Sequence, residues 1–166
     1  MYSAKFWIDH LRLEPHLEGG FFSQTYIANE SIAQSHLPSR YKGRRAFSTA
    51  IYFLLEYPDF SAFHRLQSDE VWHFYAGSSL SIWTLSPQGQ ISQVRLGSDP
   101  TQGRMFQAVI PAGHWLGAHL DVPQSYALVG CTMAPGFDFA DFELAQREQL
   151  AQQFPQHRDL IERLTR

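Results

Sequence analysis

The sequence predicts a mainly β fold, a sandwich or barrel of short strands with a short helix at each end. Three observations predict it. Between Ala46 and about Met133, strand-forming residues come in short runs separated by turn residues. Apolar residues make up 44% of the 166 positions and aromatic ones 14%, enough for a real core. Helical spacing of apolar residues is confined to the two ends.

In order along the chain, Ser3 is a plausible N-cap for a helix on which Phe6, Trp7, His10 and Leu11 share a face. Gly19-Gly20 breaks the pattern, and Phe21–Ile27 is rich in strand formers. A polar loop with Pro38, Gly43 and several basic residues runs to Arg45. Strands are expected over Ala46–Leu55, Ser61–Leu66, Glu70–Tyr75, Ser79–Leu85, Ile91–Arg95, Met105–Ile110, Trp115–Leu120 and Ser125–Met133. The punctuation is Tyr57-Pro58-Asp59, Gly77, Pro87-Gln88-Gly89, Asp99-Pro100, Pro111-Ala112-Gly113 and Asp121-Val122-Pro123. Asp141 is expected to cap a helix carrying Phe142, Leu144, Ala145, Leu150 and Ala151. Pro155 ends it, and Leu160, Ile161 and Leu164 suggest a last turn or two. No repeat or linker divides residues 1–166, which read as one domain.

The formal net charge of -3 gives no electrostatic reason to bind nucleic acid or an anionic membrane. No apolar run is long enough to span a bilayer, and Lys5, Asp9 and Arg12 interrupt anything resembling a signal peptide. The lone Cys131 cannot form an internal disulfide, so a reducing, cytoplasmic setting is expected.

Chemistry is concentrated in His64-Arg65-Leu66-Gln67-Ser68-Asp69-Glu70-Val71-Trp72-His73-Phe74-Tyr75-Ala76-Gly77. On strands, His64 and Leu66 point one way. Glu70, Trp72 and Phe74 share a face, and His73 and Tyr75 take the other. A His and a Glu converging on a barrel mouth suit either a metal or a proton transfer. The blander alternative is a satisfied core His bonded to Glu70 or to backbone. Trp72, Phe74 and Trp115 read as a stacking wall or as core. Arg40, Lys42, Arg44 and Arg45 read as a phosphate grip or as solvated surface. Cys131, in an apolar run, reads as an inert buried thiol.

The central stretch resembles the first cupin motif, His-x-His followed by Glu and Gly, and Pro111-Ala112-Gly113 resembles the start of the second. The whole chain resembles an uncharacterised family of short single-domain cupins. The residues that carry this are Glu18 to Tyr26, Ser48 to Leu55, Ser68 to His73, Val109 to Gly113 and Ala134 to Phe139. The resemblance implies a cupin (RmlC-like) double-stranded jelly-roll β-barrel with a small-molecule pocket inside it; a homodimer is expected because a barrel of this size has exposed sheet edges and aromatic outer faces to cover. The resemblance also implies His64 and Glu70 as catalytic residues, with Phe21, Ser48, Tyr52, Trp72, Gln107 and Trp115 as ligand contacts. Leu66 and Leu116 stand where metal cupins have two of their His ligands, so no metal cofactor is expected.

Gly20 to Tyr26 is also similar to a segment of the metal-free epimerases of deoxythymidine-diphospho-4-keto-sugars, and His64 sits where their barrel His acts as base. Three functions follow. The first is an isomerase or epimerase of a sugar-like, possibly nucleotide-linked, carbonyl compound with His64 as general base. The second is a metal-dependent oxygenase or decarboxylase using His64, Glu70 and an unexpected third ligand. The third is a non-catalytic binding module. His73, Tyr75 and Phe21–Ile27 are the expected subunit contact.

Overall fold

The computed structural model describes residues 2–166. A helix, α1 (Ala4–Leu11), opens the chain, with the Ser3 hydroxyl accepting from the Phe6 N–H at 3.1 Å as the N-cap expectation requires. Thirteen strands and two more helices follow. The strands are β1 (Glu14–Pro15), β2 (Phe21–Ile27), β3 (Ser31–Ile32), β4 (Arg45–Ala46), β5 (Thr49–Glu56), β6 (Phe60–Arg65), β7 (Glu70–Gly77), β8 (Leu80–Leu85), β9 (Ile91–Leu96), β10 (Gln107–Ile110), β11 (Trp115–Leu120), β12 (Tyr126–Met133) and β13 (Glu143–Leu144). The helices are α2 (Arg147–Gln153) and α3 (Arg158–Arg163).

The strands form two facing antiparallel sheets in the jelly-roll manner. One runs β1-β2-β5-β12-β7-β10 and the other β13-β6-β11-β8-β9, with β3 and β4 as a separate ribbon. The sheets are not hydrogen-bonded into a closed barrel. Inward side chains from both, among them Phe53, Trp72, Phe74, Ile82, Leu116 and Val129, form the central core. The outer face of the five-stranded sheet is covered by α2 and α3 through Phe63, Leu85, Trp115, Leu150, Phe154 and Ile161. On the other sheet, α1 covers Leu54 and Leu128.

Two expected elements differ. The single strand expected over Ala46–Leu55 is broken before Thr49. Ala46 pairs with Ser31 and its carbonyl accepts from the Gly136 N–H, while the Ser48 carbonyl accepts from Ala28. Asp141 caps no α-helix. Its carboxylate takes the buried Arg45 guanidinium in two bonds of 2.6 Å, Glu143 and Leu144 join β6, and the helix begins only at Arg147. A buried bidentate ion pair and a sheet ladder outweigh a local capping preference.

The decisive local feature is a bulge in β6. Leu116 pairs with His64 and Ala118 with Ser61, so three steps on β6 match two on β11. The extra residue turns Ser61 toward the same interior group as His64 and leaves Phe63 facing the helices.

Candidate functional site

A cavity of about 160 Å³ opens between the sheets at the end where β2, β5, β6 and β7 meet. Its floor is polar: His16, Glu18, His64 and Glu70. Phe22, Ile51, Phe53, Leu66 and Trp72 form the barrel side of the wall. Phe137, Phe139 and Phe142, from the segment between β12 and β13, close the other side. Trp72 is 1% exposed, so its indole belongs to both core and cavity.

Glu18 sits in the loop of the β1–β2 hairpin. That loop is closed by His16 N–H to the Gly20 carbonyl at 3.0 Å and Gly19 N–H to the His16 carbonyl at 3.1 Å. Gly19 and Gly20 have φ of 112° and 68°, a region that favours glycine. The Glu18 carboxylate accepts from the Ser61 hydroxyl at 2.8 Å and lies 3.2 Å from His64 Nε2 and 3.3 Å from His16 Nδ1. The other nitrogen of His64, Nδ1, is 2.8 Å from the Ala62 carbonyl, which can only accept, so Nδ1 carries a proton. Nε2 then faces the Glu18 carboxylate in a close contact that is not an aligned hydrogen bond, and a carboxylate at that distance favours a charged imidazole. The Phe142 ring lies nearly parallel to His64 with centroids 5.3 Å apart.

Burial by itself pushes the Glu18 carboxyl up. The charge on His64 and the bonds and charge from His16 and Ser61 outweigh it and hold Glu18 below the usual carboxylate range. The second carboxyl goes the other way. Burial pushes Glu70 up, and the neighbouring charge of Glu18 adds to this against the opposing effect of His64. Glu70 Oε2 accepts from Trp72 Nε1 at 2.7 Å. Burial pushes the Cys131 thiol well up, with the charges of Glu70 and Glu18 adding to it, which disfavours the thiolate at this cavity-lining position.

Among the sequence-predicted residues, His64, Glu70 and Trp72 line the cavity. His64 and Glu70 are not joined by a direct hydrogen bond: His64 Nδ1 is bonded to Ala62, and Glu70 accepts from Trp72. The other five expected ligand contacts lie outside the lining. Phe21 and Tyr52 point to the outer face and pack under α1. Their neighbours Phe22, Ile51 and Phe53 face in. Ser48 precedes β5, beside the lining residue Thr49. Gln107 faces outward, its Nε2 donating to His73 Nδ1 at 2.9 Å. Trp115 packs under the C-terminal helices with the Arg65 guanidinium 4.5 Å over its ring. Both faces of these sheets are partly covered, so apolar alternation does not say which face is inside. Sequence reasoning missed His16, Glu18 and the three Phe residues of the closing segment. The signal for Glu18 was present: a carboxylate beside Gly19-Gly20.

The donor set does not fit a cupin metal. Leu66 lines the cavity where a second His would stand, and Leu116 is buried in the core. His64 is bonded to the Ala62 carbonyl and faces Glu18, and Glu70 is bonded to Trp72. The register shift between Leu116 and Ala118 re-aims β6 residues, and His119 on β11 accepts from Trp83 Nε1 at 3.1 Å. Among the described residues, no three His, Cys, Asp or Glu side chains are grouped to hold a metal ion.

Residues 5–145 match the family described as Cupin superfamily (DUF985). The chain is a DUF985 cupin. This cupin is similar to protein SO0799 from Shewanella oneidensis, with 38% identity, TM-score 0.90 and coverage of 100% of this chain and 99% of that one. It is also similar to a hypothetical protein from Leishmania major, with 32% identity, TM-score 0.88 and 99% of both chains covered. The uncharacterized protein YML079W of Saccharomyces cerevisiae is 26% identical over 151 residues, 85% of this chain and 74% of that protein. Likeness in fold alone extends to a dTDP sugar isomerase from Desulfovibrio desulfuricans, with 15% identity, TM-score 0.53 and coverage of 81% of this chain and 88% of that one. The same holds for the oxalate decarboxylase of Bacillus subtilis, with 12% identity, TM-score 0.51 and coverage of 84% and 40%. No helix of the described residues is long and apolar enough to cross a membrane.

Proposed function

We propose that this DUF985 cupin is an isomerase or epimerase that moves a proton at a carbon beside a carbonyl of a small molecule, without a metal. The observation that carries the reading is His64 in one cavity with two buried carboxyls, Glu18 held low and Glu70 pushed up. Such divergence gives two neighbouring carboxyls different roles.

The bonding of His64 supports a polarity opposite to the sequence expectation. With Nδ1 committed to the Ala62 carbonyl and Nε2 beside a carboxylate, His64 is placed to act as a donor rather than as the base. It hands its proton to the substrate carbonyl oxygen, with Glu18 as its counter-charge. Glu70, made more basic by burial, takes the proton from carbon when ionised and returns it to the neighbouring carbon or the opposite face.

Cavity size and charge narrow the substrate. An apolar cavity of about 150 Å³ holds one benzene-sized ring, and this one is about 160 Å³. No Lys or Arg lines it. Its occupant is therefore an uncharged compact group, and any phosphate or nucleotide attached to it stays outside the mouth. A second reading, a binding module without catalysis, is favoured by the aromatic wall and by the bond that holds His64 Nδ1 to the Ala62 carbonyl. The protein is further proposed to be a cytoplasmic homodimer that holds no stoichiometric transition metal.

The test is carbon-bound hydrogen exchange in D2O, followed by NMR, over a panel of small cyclic and acyclic hydroxyketones. Exchange above the buffer rate that is lost in Glu70→Gln supports the isomerase. Saturable binding without exchange in any member supports the binding module instead.

A further inference from the structure

We propose that Asp59 and Arg166, outside the cavity, are positioning residues that hold the Glu18 carboxylate on His64; the inference rests on the acid–base reading of that site. The β1 strand pairs with β2 at only two positions, Glu14 with Phe22 and Pro15 with Phe21. So short a ladder does not fix a five-residue loop by itself, and the loop is held from outside. Asp59 Oδ2 accepts from the Gly20 N–H at 2.8 Å. Asp59 Oδ1 accepts from Arg166 Nη2 at 2.6 Å, and the same nitrogen donates to the Phe60 carbonyl at 3.0 Å and toward the Glu18 carbonyl at 3.4 Å. The guanidinium lies 4.5 Å over the Phe60 ring. Gly19 is part of the same fit: a Cβ there would lie 2.2 Å from the Phe60 carbonyl oxygen and 2.3 Å from Arg166 Nη2.

The clamp and the site share one strand. Asp59 immediately precedes β6, which then presents the Ser61 hydroxyl to the Glu18 carboxylate, the Ala62 N–H to the Glu18 carbonyl at 2.8 Å, and His64 itself. Arg166 follows α3, whose cap residue Leu164 accepts from the Phe63 N–H of β6 at 2.7 Å. A shift of the Gly19-Gly20 turn would thus draw Glu18 away from His64 while leaving His64 bonded to Ala62.

The alternative is an ordinary surface ion pair. Asp59 and Arg166 are 38% and 45% exposed, and such pairs contribute little to stability. The two roles differ in what they move. The groups facing Glu18 are His16 from its own loop, His64 from β6, Glu70 from β7 and Cys131 from β12, and all stay in place in Asp59 and Arg166 variants.

The experiment labels glutamate side-chain carboxyls with ¹³C, assigns Glu18 by the signal missing in Glu18→Gln, and follows it over pH. In the wild type the Glu18 carboxyl titrates below the ordinary glutamate range. Asp59→Ala and Arg166→Ala are expected to move it upward, and Arg166→Lys, which keeps the charge on Asp59, to restore most of the wild-type behaviour. Thermal melting moves little in any of them. A Glu18 signal that titrates as in the wild type in folded Asp59→Ala and Arg166→Ala overturns the proposal. If Asp59→Ala does not fold, Arg166→Ala decides. Absence of deuterium exchange in the wild type, with the upward shift present, overturns the isomerase reading and leaves the positioning role standing.

Discussion

Glu18 Oε2 and His64 Nε2 lie 3.2 Å apart in a buried contact, while the other His64 nitrogen is committed to the Ala62 carbonyl. The two side chains therefore depend on each other for compensation inside the protein.

Removing one member strands the other. Glu18→Ala or His64→Ala is expected to cost about 3–5 kcal/mol, the usual penalty for an uncompensated buried charge. The double variant should cost much less than the sum of the two. Urea unfolding of the four proteins measures the coupling. His64→Asn should reduce deuterium exchange by roughly 10²–10⁴-fold, the usual size of a general acid–base contribution. Near-normal exchange in the folded His64→Asn variant would make His64 a packing residue.

The two carboxyls give opposite pH signs. Glu18 is held below its ordinary value, so its contribution to stability is present above that value and is lost as pH falls through the folded one. Glu70 is raised, so its protonated form favours folding at low pH and the benefit is lost as pH rises through the folded value. Glu70→Gln keeps an acceptor for Trp72 Nε1 without the charge. Its stability relative to wild type should therefore increase as pH rises from the ordinary glutamate value through the folded Glu70 value, in parallel denaturant titrations. A constant difference would contradict this.

The Arg45–Asp141 pair ties the ribbon of β3 and β4 to the segment carrying the three cavity Phe residues. Asp141→Ala should cost about 3–5 kcal/mol by leaving a buried guanidinium unpaired. It should also weaken ligand binding measured calorimetrically by loosening Phe137, Phe139 and Phe142. Unchanged affinity would show that the closing segment is held without the pair.

The proposed dimer has a surface. Tyr75, Met105, Phe106 and Val109 are all more than half exposed near the β7–β10 edge of the six-stranded sheet. Such an edge invites pairing with a second copy. Light scattering at micromolar concentration should give a dimer mass, and Val109→Glu a monomer. A wild-type monomer would rule this surface out as a stable self-interface.

Much of the fold was legible because its signals are local. Turn residues bounded most strands closely, and Trp115–Leu120 matches its expected limits. His64, Glu70 and Trp72 were readable because the β6–turn–β7 spacing keeps their parity. Phe21 and Tyr52, expected as ligand contacts, pack under α1, and apolar residues on both faces of their strands gave no sign of which side lines the cavity. Asp141 was misread because its partner Arg45 lies 96 positions away. Glu18 reaches His64 only through a glycine turn and a strand bulge, and neither leaves a periodic trace in sequence.

The cavity wall has two separate origins. Proton-handling groups come from the hairpin and the sheets, while three of its aromatic rings come from one short stretch between β12 and β13. Chemistry and fit are therefore separable in this scaffold. Variation confined to positions 137, 139 and 142 would retune which molecule is accepted and leave the acid–base apparatus as it is, so relatives that share the floor need not share a ligand.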